Sequence, residues 1–180
     1  MRYLIFTAYL MSATVAAADC PTPPDITDEL DQLLEQIQAA QNEGSAQLIS
    51  NKLWDLWAKA PNDQAQALLD RGMEARRSWN LLGAIETFDK LVAYCPDYAE
   101  GYNQRAFANF LGQNYEAALA DLDRAIERSP NHVAAISGKA LTLMGLGRNE
   151  EAQVVLRAAL ALNPWLPERR YLIEIPGKEL

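Results

Sequence analysis

Apolar residues recur along this chain at three- and four-residue intervals, the spacing that places side chains on one face of a helix. The first group of such residues consists of Leu30, Leu33, Leu34 and Ile37. A second group lies at 48–57. Alanine and leucine are abundant while valine and threonine are sparse, which favours helix over strand. The pattern predicts an all-α protein that begins with a helical hairpin at 28–62. In that hairpin we expect Gly44 to end the first helix and Ser45 to cap the second.

The remainder of the chain, residues 63–166, repeats with a period of 34. Five columns keep this interval over three copies: Pro96/Pro130/Pro164, Ala84/Ala118/Ala152, Phe88/Leu122/Leu156, Leu91/Ala125/Ala159 and Gly72/Ala106/Ala140. The small residues allow two helices to approach closely, and the large residues of the Phe88 column fill the space between them. Each proline follows a second helix, because proline cannot continue it. The columns therefore predict three stacked helical hairpins.

The spacing resembles that of the tetratricopeptide repeat, a helix–turn–helix unit of 34 residues with an A-x3-F…P signature. Here the signature is Ala84-x3-Phe88…Pro96, and the two later copies have leucine in place of phenylalanine. The resemblance implies an all-α solenoid, wound as a right-handed superhelix. Its repeats lie at 65–98, 99–132 and 133–166. The hairpin at 28–62 resembles a degenerate unit that caps the stack, and 167–180 forms a short C-terminal cap or tail.

Members of this family bind protein segments in a concave groove, so the resemblance implies a non-catalytic protein-binding module. The groove positions carried over from the family are Leu69, Met73, Arg76, Asn103, Phe107, Phe110, Ser137, Leu141 and Met144. Such a surface suits an apolar or aromatic stretch of a protein or peptide partner. In the alternative interpretation Phe107 and Phe110 are core residues that pack against neighbouring helices.

Some family members clamp the carboxylate of a chaperone tail with lysine, asparagine and arginine at defined groove positions. The corresponding residues here are Leu69, Met73, Gln104, Ala134 and Gly138, so we do not expect that activity. A rival function within the resemblance is an assembly factor that docks to membrane proteins of the cell envelope. Recovery of membrane-protein subunits with the chain would favour that rival.

The sequence offers little material for catalysis, metal binding or cofactor binding. Its one histidine, His132, follows Pro130 in a predicted turn between repeats, and there is no CxxC pair or glycine-rich phosphate loop after a strand. We therefore expect no enzyme and no cofactor, which disfavours a hydrolase or a thiol oxidoreductase. The basic column Arg71/Arg105/Lys139 either grips an acidic peptide or pairs with nearby acids, of which Asp89, Asp121 and Asp123 are the candidates.

The charge distribution and the N-terminus predict where the protein works. A net charge of −8 argues against non-specific nucleic-acid binding, and residues 19–65 alone carry nine acids and two bases. Residues 1–18 have the charged, apolar and small-residue order of a secretory signal peptide, with cleavage near Ala18. An uncleaved anchor and a lipid anchor on Cys20 are the alternatives; Asp19 before that cysteine disfavours the second. We expect an exported, periplasmic protein with a proline-rich lead at 19–27 and no membrane insertion after cleavage.

The two cysteines, Cys20 and Cys95, are candidates for one disulfide, because export exposes the chain to an oxidising compartment. In the resembled fold Cys95 ends the second helix of the first repeat. The lead from Cys20 to Ile26 spans roughly 20 Å when extended and reaches that end of the stack. The alternative is two unpaired thiols, with Cys95 buried as a small apolar residue.

Overall fold

The computed structural model describes residues 19–173, so the predicted signal peptide and residues 174–180 lie outside the described residues. The described part is all-helical, as predicted. Its elements are α1 (Thr27–Gln38), α2 (Glu43–Trp57), α3 (Asp63–Arg77), α4 (Leu81–Tyr94), α5 (Ala99–Leu111), α6 (Tyr115–Arg128), α7 (Val133–Gly145), α8 (Asn149–Leu162) and a 3-10 helix at Pro167–Tyr171.

Helices α3 to α8 form three antiparallel hairpins, each of which packs on the next. The first helices make a continuous inner layer, because α3 contacts α5 and α5 contacts α7. The small and large repeat columns lie between the layers: Ala84, Ala118 and Ala152 are fully buried, as are Phe88 and Leu156. A Cβ atom built on Gly72 would overlap the ring of Phe88. The close approach of α3 and α4 therefore requires glycine at this position.

Each repeat hairpin turns through one residue in the left-handed backbone region. These residues are Trp79 (φ 58°), Gln113 (φ 61°) and Gly147 (φ 73°), which again stand 34 residues apart. The amide after each of them donates to a carbonyl five residues earlier, as Asn80 N does to Ala75 O at 2.9 Å. The backbone thus makes the same turn three times, although only one copy uses glycine.

The turn between α1 and α2 differs from the prediction. Helix α1 ends at Gln38, and Asn42 caps α2 by accepting a hydrogen bond from the Ser45 amide at 2.9 Å. Gly44 and Ser45 therefore lie in the first turn of α2. Asparagine and serine are comparable capping residues, and the one that caps α2 is the one whose own backbone is extended, here Asn42.

The N-terminal hairpin, α1 and α2, packs across the junctions between neighbouring repeats. The prediction had instead placed it as a further layer at the end of the stack. Its buried leucines share a cluster with Val133, at the start of α7, and this cluster reaches Leu162 and Trp165 after α8. The Trp57 ring stacks on His132 at 4.2 Å between centroids. The Tyr98 hydroxyl donates to the Trp57 carbonyl at 2.9 Å. The hairpin thus contacts all three repeats along one side of the solenoid.

Cys20 and Cys95, the predicted pair, are joined in a disulfide with Cα atoms 5.1 Å apart. Cys95 is buried in the core of the first repeat, and Cys20 packs against the same cluster. The disulfide therefore attaches the proline-rich lead, before α1 begins, to the end of α4, where the first repeat meets the second.

Candidate functional site: the concave groove

The inner layer carries an apolar cavity of about 210 Å³ between α5 and α7. Its aromatic walls are Phe107 and Phe110, and α7 contributes Leu141 and the backbone around Gly138. Two further residues come from outside the inner helices: Trp54 from α2 and Glu168 from the C-terminal 3-10 helix. The groove is consequently bounded by the N-terminal hairpin on one side and by the C-terminal segment on another.

Phe107 is the large apolar side chain that the groove presents to solvent, with 42% of its surface exposed. The Arg76 guanidinium lies over its ring, 4.3 Å from the centroid. Burial, together with the charge of neighbouring Arg77, lowers the pKa of Arg76. Among the described residues Arg76 makes no ion pair with a carboxylate, and its buried Nε has no hydrogen-bond partner. A cation and an aromatic ring thus stand together at the edge of the cavity.

The nine predicted groove residues separate into two groups. Asn103, Phe107, Phe110, Ser137 and Leu141 line the cavity, and Arg76 adjoins it through Phe107. Leu69 is a correction: its side chain is fully buried in the core cluster of the first repeat, with Ala65 and Phe88, and so is not available to the groove. Met73 and Met144 pack against the cores of the first and third repeats.

A buried polar cluster lies behind the cavity wall, centred on the Glu100 carboxylate. Gln104 Nε2 donates to Glu100 Oε1 at 2.7 Å, and Asn103 Nδ2 donates to Oε2 at 3.0 Å. His132 Nε2 lies 2.8 Å from the same Oε2, while its Nδ1 accepts from the Ala135 amide. The ring therefore carries its proton on Nε2 and donates to Glu100. Gln104 Oε1 is left buried without a partner.

Comparison with known proteins agrees with the 34-residue spacing of the repeats and with this geometry. A model of the tetratricopeptide repeat matches residues 110–172. A TPR repeat-containing protein of Rhizobium etli is 30% identical over 124 residues, which are 67% of this chain and 59% of that relative's length. Residues 110–172 therefore contain tetratricopeptide repeats, and the chain resembles proteins of the tetratricopeptide-repeat family.

Two solved structures share the arrangement of the three repeats. The TPR2B domain of yeast Sti1, in its pHsp70 complex, has a TM-score of 0.57 and 25% identity over 61% of this chain and 90% of that domain. The second TPR domain of human RPAP3, in complex with the HSP70 peptide SGPTIEEVD, has a TM-score of 0.58 and 26% identity over 60% and 90%. The family and these neighbours are non-enzymatic protein-binding scaffolds.

Two members of the basic column Arg71/Arg105/Lys139 pair with acids, as one of the two interpretations held; no ion pair of Arg71 is found among the described residues. Arg105 bonds Asp121 at 2.6 Å and Asp89 at 2.7 Å, and Lys139 bonds Asp123 at 2.6 Å. The hydrogen bond to Asp121 raises the pKa of Arg105. These side chains join neighbouring helices and do not face the groove.

The sequence did not reveal three residues that shape the site: Trp54, Glu168 and His132. Trp54 and Glu168 lie outside the repeats, so the 34-residue register carries no information about them. His132 lies in the expected turn between the second and third repeats, where it caps α7, and the sequence did not indicate that it is fully buried under Trp57. The pairing of His132 with Glu100 spans 32 residues and does not match the repeat period of 34, so the repeat register did not indicate it.

Neither a membrane span nor a metal centre is found between residues 19 and 173. No helix in that range has the length and hydrophobicity to cross a bilayer. The same range holds no group of three or more histidine, cysteine, aspartate or glutamate side chains that is arranged to bind a metal ion.

Proposed function

We propose that this chain is a non-catalytic binding module that holds a segment of another protein in its concave groove. The observation that supports this most directly is the apolar cavity beside the exposed Phe107. Pockets of this kind accept one bulky apolar side chain of a partner, while polar groups at the rim orient the neighbouring backbone. Here the polar side chains of the lining are Asn103, Gln104, Ser137, Thr142 and Glu168.

The chemistry of the cavity favours an apolar or aromatic segment over an acidic tail. Glu168 is the one ionisable residue among those that line the cavity, and it is negative. Gln104, Ala134 and Gly138 stand where chaperone-tail binders of the family have charged or amide groups, so a carboxylate would meet little positive charge. Arg76 remains available at the edge, stacked on Phe107.

We further propose that the protein acts outside the cytoplasm, in a bacterial periplasm. The disulfide between Cys20 and Cys95 supports this location, since such bonds persist in oxidising compartments. The signal-peptide pattern in residues 1–18 supports it independently from the sequence.

A site-specific crosslinking experiment tests the groove. A photoreactive phenylalanine analogue replaces Phe107 in the exported protein, and the control carries the analogue at Val154, which is 69% exposed on α8. We expect Phe107, and not Val154, to crosslink a discrete partner in intact cells, and Leu141→Gln to abolish that crosslink. Equal crosslinking at the two positions would place the contact surface elsewhere. Membrane-protein subunits as the captured partner would favour the envelope-assembly role.

A further inference from the structure

The turn between α3 and α4 presents two large apolar side chains to solvent. Trp79 is 71% exposed and Leu82 is 76% exposed. Trp79 also has φ 58°, a backbone conformation that is unfavourable for residues with a branched or bulky side chain. Exposure and backbone conformation both act against the stability of the folded chain at this position.

The other two repeats show that the turn itself does not need these residues. The positions that correspond to Trp79 are Gln113 and Gly147, and those that correspond to Leu82 are Glu116 and Glu150. The backbone hydrogen bonds of the three turns are the same. The first turn therefore has an apolar tip, formed by Trp79 and Leu82. The corresponding positions of the other two turns have no large apolar side chain. Since the fold gains nothing from the tip, it is a candidate contact surface.

The groove cavity has the chemistry that an indole side chain would satisfy. It is mainly apolar, and its volume of about 210 Å³ exceeds the roughly 150 Å³ that holds a benzene molecule in an engineered protein cavity. Its polar groups include acceptors without a donor: Gln104 Oε1 has no partner, and Glu168 makes no ion pair among residues 19–173. Indole supplies an apolar body with one N–H donor and no acceptor.

We propose that the tip of one copy inserts into the groove cavity of a second copy, with Trp79 as the anchor. Knob and cavity are different surfaces of the same chain, so the contact is head-to-tail and continues from copy to copy. The tip offers roughly 300 Å² of apolar surface, well below the roughly 800 Å² per partner of a stable interface. Association is therefore reversible and concentration-dependent. Because each copy carries a net negative charge, the association becomes stronger when salt screens the repulsion between copies.

This inference rests on the proposed function, because it uses the same groove. A partner segment and the tip of a second copy compete for one cavity. Self-association thus keeps the groove covered until a partner with higher affinity displaces the tip.

Sedimentation analysis across a concentration series tests the proposal with the chain from residue 19 onwards, disulfide intact. We expect wild type to associate, and Trp79→Gly to raise the apparent dissociation constant at least about tenfold, the loss typical of an aromatic anchor. Glycine suits φ 58°, so this variant keeps its fold. Phe107→Ala, with Leu141→Gln as a second groove variant, is expected to lose association to the same extent. Val154→Ala is the control that leaves it unchanged.

A mixture of the two variants Trp79→Gly and Phe107→Ala gives the decisive test. Trp79→Gly retains the cavity and Phe107→Ala retains the tip, so together they should form a 1:1 dimer and nothing larger. A wild type that stays monomeric at every concentration overturns the proposal, as does association that survives Trp79→Gly. Binding of the tip to phosphatidylcholine vesicles by a monomeric wild type would also overturn it, in favour of a lipid surface. Partner crosslinking at Phe107 is read separately, so the groove function can stand if self-association fails.

Discussion

At the scale of single residues, the repeat columns are matched pairs and not independent small and large positions. In the first repeat Gly72 faces Phe88, and no Cβ atom fits between them. In the second repeat the corresponding residues are Ala106 and Leu122, which share one buried cluster. The larger ring is thus accompanied by the smaller partner, so that each pair fills the space between its two helices.

Substitution of Gly72 by alanine tests this pairing. Alanine favours the helix, but its methyl group overlaps the Phe88 ring, and overpacking of this kind costs about 1–3 kcal/mol. We expect a net loss of about 1 kcal/mol or more in the free energy of unfolding, measured by urea denaturation. Addition of Phe88→Leu should recover most of it, because the pair then becomes the Ala/Leu pair of the second repeat.

Gly44→Ala is the matched control for helix propensity. Gly44 lies exposed in α2, where a Cβ would meet only the Asn42 side chain at an ordinary 3.4 Å. This change should stabilise the protein by about 0.5–1 kcal/mol. If Gly72→Ala stabilised to the same degree, the pairing of Gly72 with Phe88 would not limit the approach of α3 and α4.

At the scale of helices, Arg105 on α5 connects two neighbours at once. It binds Asp89 on α4 and Asp121 on α6, and the carboxylate of Asp121 is only 7% exposed. Arg105→Met should cost about 3 kcal/mol of unfolding free energy, because it leaves Asp121 buried without its counter-charge. The control Arg77→Met removes an exposed pair with Glu74 and should change stability little. A loss no larger than that of the control would show that water replaces the guanidinium.

The helices were predictable from the sequence to the extent that local rules decide them. The 34-residue period gave the three hairpins, and the paired role of Arg105 and Lys139 was one of the two interpretations it allowed. The cap of α2 was not predictable, since Asn42 and Ser45 are equally able to cap and only the backbone decides. The position of the first hairpin was not predictable either. An apolar stripe identifies a buried face but not the surface that covers it.

The same limit applies to the groove. Phe107, Phe110 and Leu141 follow from the inner-helix register. Leu69 has the same register position as Asn103 and Ser137, yet it is buried in the core of the first repeat. Trp54 and Glu168 enter the cavity only because the hairpin and the C-terminal segment fold back across the solenoid. Contacts of this kind depend on long-range packing, which repeat spacing does not encode.

At the scale of the whole molecule, the groove cavity has one ionisable residue in its lining, Glu168, and offers an acidic tail little positive charge. We expect the peptide SGPTIEEVD, which the second TPR domain of RPAP3 binds, to have a dissociation constant weaker than about 1 mM for this chain. The reason is the uncharged set Gln104, Ala134 and Gly138 together with the negative Glu168. Isothermal titration calorimetry measures this, with the RPAP3 domain as the positive control. Micromolar binding would mean that Arg76 or another cation replaces the missing clamp.

The N-terminal hairpin contacts all three repeats and so links them to one another. Trp57 stacks on His132, and Tyr98 donates to the Trp57 carbonyl. Burial raises the pKa of Tyr98, so its hydroxyl stays protonated and remains a donor. The disulfide adds a covalent tie between the lead that precedes this hairpin and the end of α4.

Loss of the disulfide should therefore weaken the whole molecule and loosen the first hairpin most. The bond closes a separation of 75 residues, for which the chain-entropy model gives about 4 kcal/mol. We expect Cys20→Ser with Cys95→Ser to lower the urea midpoint by an equivalent amount, and reductant to do the same to wild type but not to the variant. Amide exchange should accelerate in α1 and α2 more than in α5 to α8, because the repeats retain their own packing. Uniform acceleration across all helices would instead show that the hairpin and the repeats unfold as one cooperative unit.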